Sequence, residues 1–203
     1  MWSEIGNWRH VCVDMQRIFW EDTPWHAPSI REVLPQVIEL ASFYPERTIF
    51  TRFIPPNSAD QAFGAWQDYY QKWWMMTRDQ MPAEQLRLVP SLAALVPPAQ
   101  LLDKHIYSPW LETKLHQTLR SWEVSTLVIS GGETDVCVLA TVIGAIDFGY
   151  RVIVMSDAVY SGDDSSYGAA MELFARRFSV QLSMMTTEDF LRQASQQPRK
   201  YYS

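Results

Sequence analysis

The sequence predicts an α/β fold in which a parallel sheet is covered by helices on both faces. Three observations predict it. VSTLVIS at 124–130 and YRVIVM at 150–155 are almost continuously apolar, as strands buried on both faces are. VCVLATVIGAIDF, 136–148, lies between them and is apolar around most of its circumference, so it reads as a buried helix. Strand-like and helical segments alternate along the chain, the pattern of βαβ units.

The elements follow in order. RHVCVD, 9–14, reads as a short buried strand ending in a carboxylate. Residues 15–29 read as loop, with Pro24 and Pro28. Ser29 is placed to cap a helix over 30–43, where Val33, Leu34, Val37, Ile38, Leu40 and Ala41 form a helical stripe and Pro45 ends it. Residues 48–54 are β-rich and stop at Pro55-Pro56. The segment 60–78 reads as helix and is dense in aromatics, with Trp66, Tyr70 and Trp73 at i, i+4 and i+7. Such a stripe suggests core or subunit interface. Residues 81–100 hold four prolines and read as connection. A short strand at 100–103 and a helix at 109–121 precede the regular last third. There Gly149 ends the buried helix, and a helix at 165–177 and a strand at 178–184 follow. The tail QQPRKYYS, 196–203, is expected to fray.

Composition narrows the function. The 203 residues make one domain, 1–203, large enough to bury a core without disulfides or metals. Lys plus Arg number 17 against 23 Asp plus Glu, a net charge of −6. Such a chain is a poor non-specific nucleic-acid binder. No apolar run is long enough to span a membrane, and MWSEIGNWRHV lacks the features of a signal peptide. The two cysteines, Cys12 and Cys137, make no disulfide framework, so a cytoplasmic protein is expected.

Chemistry concentrates at strand ends, where open α/β sheets place their sites. Asp14, Lys104 and Cys137 all fall at or just after such ends. SGGETDVCV puts the Cys137 thiol in the first turn of a helix after a glycine-bearing turn. Free N–H groups and partial positive charge there stabilise a thiolate and lower its pKa from about 8.5. The same N–H groups can hold an oxyanion. Taken alone, Cys137 reads equally well as a small core residue.

VCVDMQRIF at 11–19, DKHIYSPW at 103–110 and SGGETDVCVLATVIGAIDFGYRVIVMSDAV at 130–159 together resemble the isochorismatase-like cysteine hydrolases. That superfamily includes nicotinamidases, N-carbamoylsarcosine amidase and isochorismatase. The resemblance spans 9 to about 190. It implies a Rossmann-like α/β/α sandwich with about six parallel strands and a catalytic triad of Asp14, Lys104 and Cys137. It implies a cis peptide between Gly132 and Glu133, and an oxyanion hole formed by the Glu133 and Cys137 amides. The implied reaction is hydrolysis of a small amide, ureide or lactam through a thioester, with no cofactor. Homo-oligomers, dimers or tetramers, are also implied.

Departures refine this. Nicotinamidases of the superfamily carry an Asp-x-His…His metal motif after the second strand. Here TRFIPPNSADQAFGAW holds no histidine, so no metal site is expected. His10, His26, His105 and His116 lack ligand spacing and read as surface or packing residues, with His26 and His105 placed to edge the pocket. Tyr167 stands where relatives often have histidine. Phe19, Trp20, Trp25, Phe53, Trp74 and Tyr160 are the candidates for the substrate-binding wall, and an aromatic box there could attract a cation. Two other functions fit the residues less well: hydrolysis of a vinyl ether without the cysteine, and a catalytically idle binding or scaffold protein. Redox sensing by Cys137 lacks an evident resolving cysteine.

Overall fold

The computed structural model describes residues 4–196. Its strands are β1 (Trp8–Val13), β2 (Thr48–Phe53), β3 (Gln100–Lys104), β4 (Thr126–Gly132), β5 (Arg151–Tyr160) and β6 (Leu182–Met185). Its helices are α1 (Arg17–Trp20), α2 (Ile30–Phe43), α3 (Ala65–Lys72), α4 (Pro90–Ala93), α5 (Leu115–Ser121), α6 (Leu139–Asp147), α7 (Asp164–Arg177) and α8 (Thr187–Ser195). The six strands pair in parallel in the order β3-β2-β1-β4-β5-β6.

Strand alternation builds a core on each face. Trp8 and Cys12 of β1, Val128 of β4 and Ile153 of β5 pack with α2 and α8. Val11 and Val13, Leu127 and Ile129, and Val152 and Val154 pack with α5, α6 and α7. This is the helix-covered parallel sheet that the apolar strands required. The upper ends of β1 and β4 approach closely. Gly131 sits at φ +94°, and a Cβ there would lie 2.0 Å from the Val13 carbonyl oxygen. Only glycine permits that spacing.

Several boundaries differ from expectation for local reasons. The loop at 15–29 contains α1. Ser29 does not cap α2; its hydroxyl donates to the Ser161 carbonyl at 2.5 Å. The long aromatic helix breaks into a 3-10 turn, α3 and a second 3-10 turn, with Gly64 at φ +59° before α3. The helix at 109–121 begins only at Leu115, because Thr113 accepts from the Leu115 amide and donates to the Pro109 carbonyl. The GGETD turn starts later, since Gly131 and Gly132 belong to β4. β5 extends to Tyr160, bulging against β4 between Ile129 and Gly131. β6 begins four residues later than expected. The unforeseen α8 is capped by Thr186, which accepts from the Asp189 amide. Gly149, at φ +83°, ends α6 as expected. The tail expected to fray lies outside the described residues from 197 on. Among the described residues, no helix is long and apolar enough to cross a membrane.

Candidate active site

Three strand ends converge at the point where strand order changes direction. Asp14 follows β1, Lys104 closes β3, and Cys137 lies in a wide π-helical turn, Thr134–Val138, between β4 and α6. β1 and β4 are the neighbours from which the chain builds outward in opposite directions. Ligands bind outside the carboxyl ends of strands at such a point.

Lys104 Nζ lies 2.7 Å from Asp14 Oδ2 and 3.4 Å from Cys137 Sγ, and it donates to the Ile106 carbonyl at 3.3 Å. Asp14 and Lys104 are 0% exposed and Cys137 is 6% exposed. A buried ion pair survives only when its remaining valences are met. Thr51 meets them: its hydroxyl donates to Asp14 Oδ1 at 2.5 Å and accepts from the Asp14 amide at 3.1 Å. The Tyr160 hydroxyl donates to the Asp14 carbonyl at 3.3 Å. Asp14 itself holds φ +48°, a left-handed conformation that is strained for a side-chain-bearing residue.

Burial dominates the electrostatics. It opposes charge on Lys104, but the Asp14 carboxylate and the Cys137 sulfur prevail and raise the lysine's pKa. Burial also pushes the Cys137 thiol up; Asp14 adds to that, and Lys104 opposes it without winning. The expectation of a lowered thiol pKa is therefore reversed. Removing the thiolate from water costs more here than a helix start supplies. The resting arrangement is an Asp14–Lys104 ion pair beside a neutral thiol.

The turn bearing Cys137 is laced to the end of β5. Thr134 Oγ1 donates to the Tyr160 carbonyl at 2.9 Å, the Ser161 hydroxyl donates to Asp135 Oδ1, and the Gly162 amide donates to Glu133 Oε1 at 3.0 Å. The Gly132–Glu133 peptide is cis. The Glu133 carbonyl accepts from the Val136 and Val138 amides, on either side of Cys137.

Aromatic rings stand over this cluster. Lys104 Nζ is 5.1 Å from the centroid of Phe53, whose ring neighbours Trp25, Trp66 and Tyr107 at 5.9, 6.3 and 6.3 Å. Phe19 stacks behind Trp25 at 6.4 Å. Phe19, Trp25 and Phe53 thus gather as the sequence suggested. Three other wall candidates do not. Trp74 is 56% exposed, because the helix that would have turned it inward ends at Lys72. Trp20 lies under the Arg31 guanidinium at 4.8 Å, against α2. Tyr160 is fully buried beneath Gly132 and supports Asp14 instead of facing a ligand. His105 points away, 3.4 Å from Glu112. His26 has its Nδ1 buried without a partner. His10 is buried between Thr48 and Ser130, and His116 stacks on Phe148. Among the described residues, no three His, Cys, Asp or Glu side chains gather to hold a metal.

The isochorismatase domain model matches residues 10–188. The chain belongs to the isochorismatase family. Among curated relatives, the uncharacterized isochorismatase family protein PncA of Bacillus subtilis is 31% identical over 87 residues, 43% of this chain and 48% of that protein. The secreted isochorismatase effector Isc1 of Phytophthora sojae is 37% identical over 78 residues, 38% of this chain and 36% of that protein. Each alignment spans about half or less of the relative. Solved structures share the fold over nearly the whole chain. A cysteine hydrolase from Pseudomonas syringae pv. phaseolicola superposes with a TM-score of 0.79 at 22% identity, covering 93% of this chain and 92% of that one. N-carbamoylsarcosine amidase from Thermoplasma acidophilum gives 0.72 at 18%, covering 90% and 97%.

On this isochorismatase-family scaffold, the residues that sequence reasoning missed are Trp66, Tyr69 and Tyr107. The stripe holding Trp66 and Tyr70 reads from the sequence as core or interface, and Tyr70, 1% exposed, is core. Trp66 contacts Tyr107 at 4.7 Å and Tyr70 at 6.1 Å, and Tyr69 contacts Trp25 at 6.1 Å. The available signal was the aromatic density of 63–74 and the position of Tyr107 just after a strand end.

Proposed function

We propose that this protein is a cysteine-dependent hydrolase of a small amide, ureide or lactam, with Asp14, Lys104 and Cys137 as its catalytic residues. The observation that carries the reading is the single buried cluster in which Lys104 reaches both Asp14 and the Cys137 sulfur. Similarity to proteins named as a cysteine hydrolase and an N-carbamoylsarcosine amidase supports the choice of reaction.

The steps follow from the residue types. Asp14 takes the Cys137 proton as the sulfur attacks the carbonyl carbon. Lys104 offsets the charge and holds both partners in place. The Glu133 and Cys137 amides are the donors for the oxyanion. The C–N bond then breaks, and the amine leaves with the proton from Asp14. Water adds to the thioester and loses a proton to Asp14, and that proton returns to the sulfur as the acid departs. A thiol that is neutral at rest suits this order, because deprotonation is coupled to attack.

The test is Cys137 alkylation by iodoacetamide against pH, read by peptide mass spectrometry, followed by a screen of amides, ureides and vinyl ethers. Cys137 should react far faster than Cys12, which is fully buried within β1 and away from Lys104. Lys104→Ala should slow that reaction. Cys137→Ala and Asp14→Asn should each lower turnover of any substrate found by at least about 10³-fold. Full turnover of a vinyl ether by Cys137→Ala would overturn the reading.

A further inference from the structure

We propose that the substrate carries a positive charge: the site is built to take a small cationic amide or ureide and to reject carboxylates. The inference rests on the cysteine-hydrolase reading above and adds the substrate's charge to it.

Three observations carry it. The first is the wall itself. Phe53 lies against Lys104 Nζ at 5.1 Å, and Trp25, Trp66 and Tyr107 gather around Phe53, so the cluster borders ring surfaces, the groups that attract a desolvated cation. The second is unbalanced acidity next to the nucleophile. Glu133, half-buried and four residues before Cys137, bonds through Oε1 to the neutral Gly162 amide, and Asp135 bonds to the neutral Ser161 hydroxyl. Among the described residues neither forms an ion pair. Lys104 is committed to Asp14, the Cys137 sulfur and the Ile106 carbonyl. The third is Tyr70. Its hydroxyl is buried and has no hydrogen-bond partner, although the residue is only 1% exposed. It packs between Trp66 and Tyr69, two rings of the same aromatic cluster. A phenol oxygen left free there can accept from the N–H of an ammonium or guanidinium.

The rings and the carboxylates favour the same ligand. An anionic substrate would face Glu133, while the ammonium beside the sulfur, Lys104, is already committed to Asp14. A cationic one would complete the Tyr70 hydroxyl, lie against the rings and balance the Glu133 charge. Clefts lined by one sign of charge raise the local concentration of the opposite ion by about 10-fold or more.

Thiol-reactive probes of equal chemistry and different charge test this without knowing the substrate. Cys137 would be modified with the trimethylammonioethyl, methyl and sulfonatoethyl methanethiosulfonates, and each rate divided by that of free cysteine. The expected corrected rate is at least about tenfold higher for the cation than for the anion. The advantage should shrink several-fold in Glu133→Gln and in high salt. A corrected cation-to-anion ratio near one, or a ratio that ignores both salt and Glu133→Gln, would overturn the proposal while leaving the hydrolase reading in place. Failure of all three probes to reach Cys137 would overturn both.

Discussion

Thr51 makes both of its polar contacts to Asp14, one to the carboxylate and one to the backbone amide. Its side chain is fully buried behind Asp14, so it acts by positioning. Thr51→Val keeps the shape and removes the hydroxyl. The carboxylate then loses its second donor and is free to rotate on Lys104. A lost hydrogen bond to a charged group is worth about 1.5–3 kcal/mol. We expect kcat to fall about tenfold or more with KM little changed, and the pH profile of Cys137 alkylation to shift. Equal losses in kcat and thermal stability, with an unmoved pH profile, would mark Thr51 as merely structural. Tyr160 holds Asp14 from the other side through the Asp14 carbonyl, which explains why so large an aromatic near the site is not part of its wall.

The β1–β4 seam depends on Gly131. Its positive φ and the 2.0 Å approach of a Cβ to the Val13 carbonyl leave no relief, since the obstacle is backbone. Gly131→Ala should therefore give insoluble or unfolded protein, checked by circular dichroism and yield; a normally folded variant would mean the seam can open. α8 offers a milder case. Thr186 accepts from the Asp189 amide at 3.2 Å, and Thr186→Ala should cost about 1 kcal/mol, visible as a lower urea midpoint with unchanged slope. The Thr-x-x-Asp spacing was in the sequence, yet α8 was missed because its short amphipathic stretch adjoins a tail of polar residues. α3 failed differently. Aromatic residues at helical spacing matched a long helix, but Gly64 and the 3-10 turns divide it, so the rings spread over a wall instead of forming one stripe.

The protein as a whole should be acid-sensitive through His10. Burial lowers its pKa to about 3 from the ordinary 6.5, and its ring lies between Thr48 and Ser130 inside the sheet. The unfolded chain takes up a proton on His10 at a higher pH than the folded chain does. Stability from this group is fully present above about pH 6.5 and is lost progressively toward pH 3. At 1.36 kcal/mol per unit the full effect is on the order of 5 kcal/mol, which is a large share of a domain's stability. Urea denaturation at pH 7 and pH 4.5 should show the loss, and His10→Asn should flatten it. An equal pH dependence in wild type and His10→Asn would assign acid sensitivity to other groups.

The segment 124–159 was legible because its signals are local. An apolar strand, a glycine turn, a cysteine and a helix apolar on nearly all sides follow one another without interruption, and no distant residue is needed to read them. The same holds for the helix at 30–43, whose stripe matches α2 end to end. The convergence of Asp14, Lys104 and Cys137 was legible only through resemblance, since residue spacing says nothing about strand order. The geometry that joins them is set by the β3-β2-β1-β4-β5-β6 arrangement, which brings three strand ends to one crevice. The state of the thiol was not legible at all. A helix start argues for a lowered pKa, and the desolvation that overrules it exists only once the fold has buried the sulfur beside Asp14. Trp66 and Tyr107 stayed hidden for the same reason: neither a ring at helical spacing nor a ring in a loop shows in the sequence which distant residues it meets, and long-range packing brings these two together at 4.7 Å.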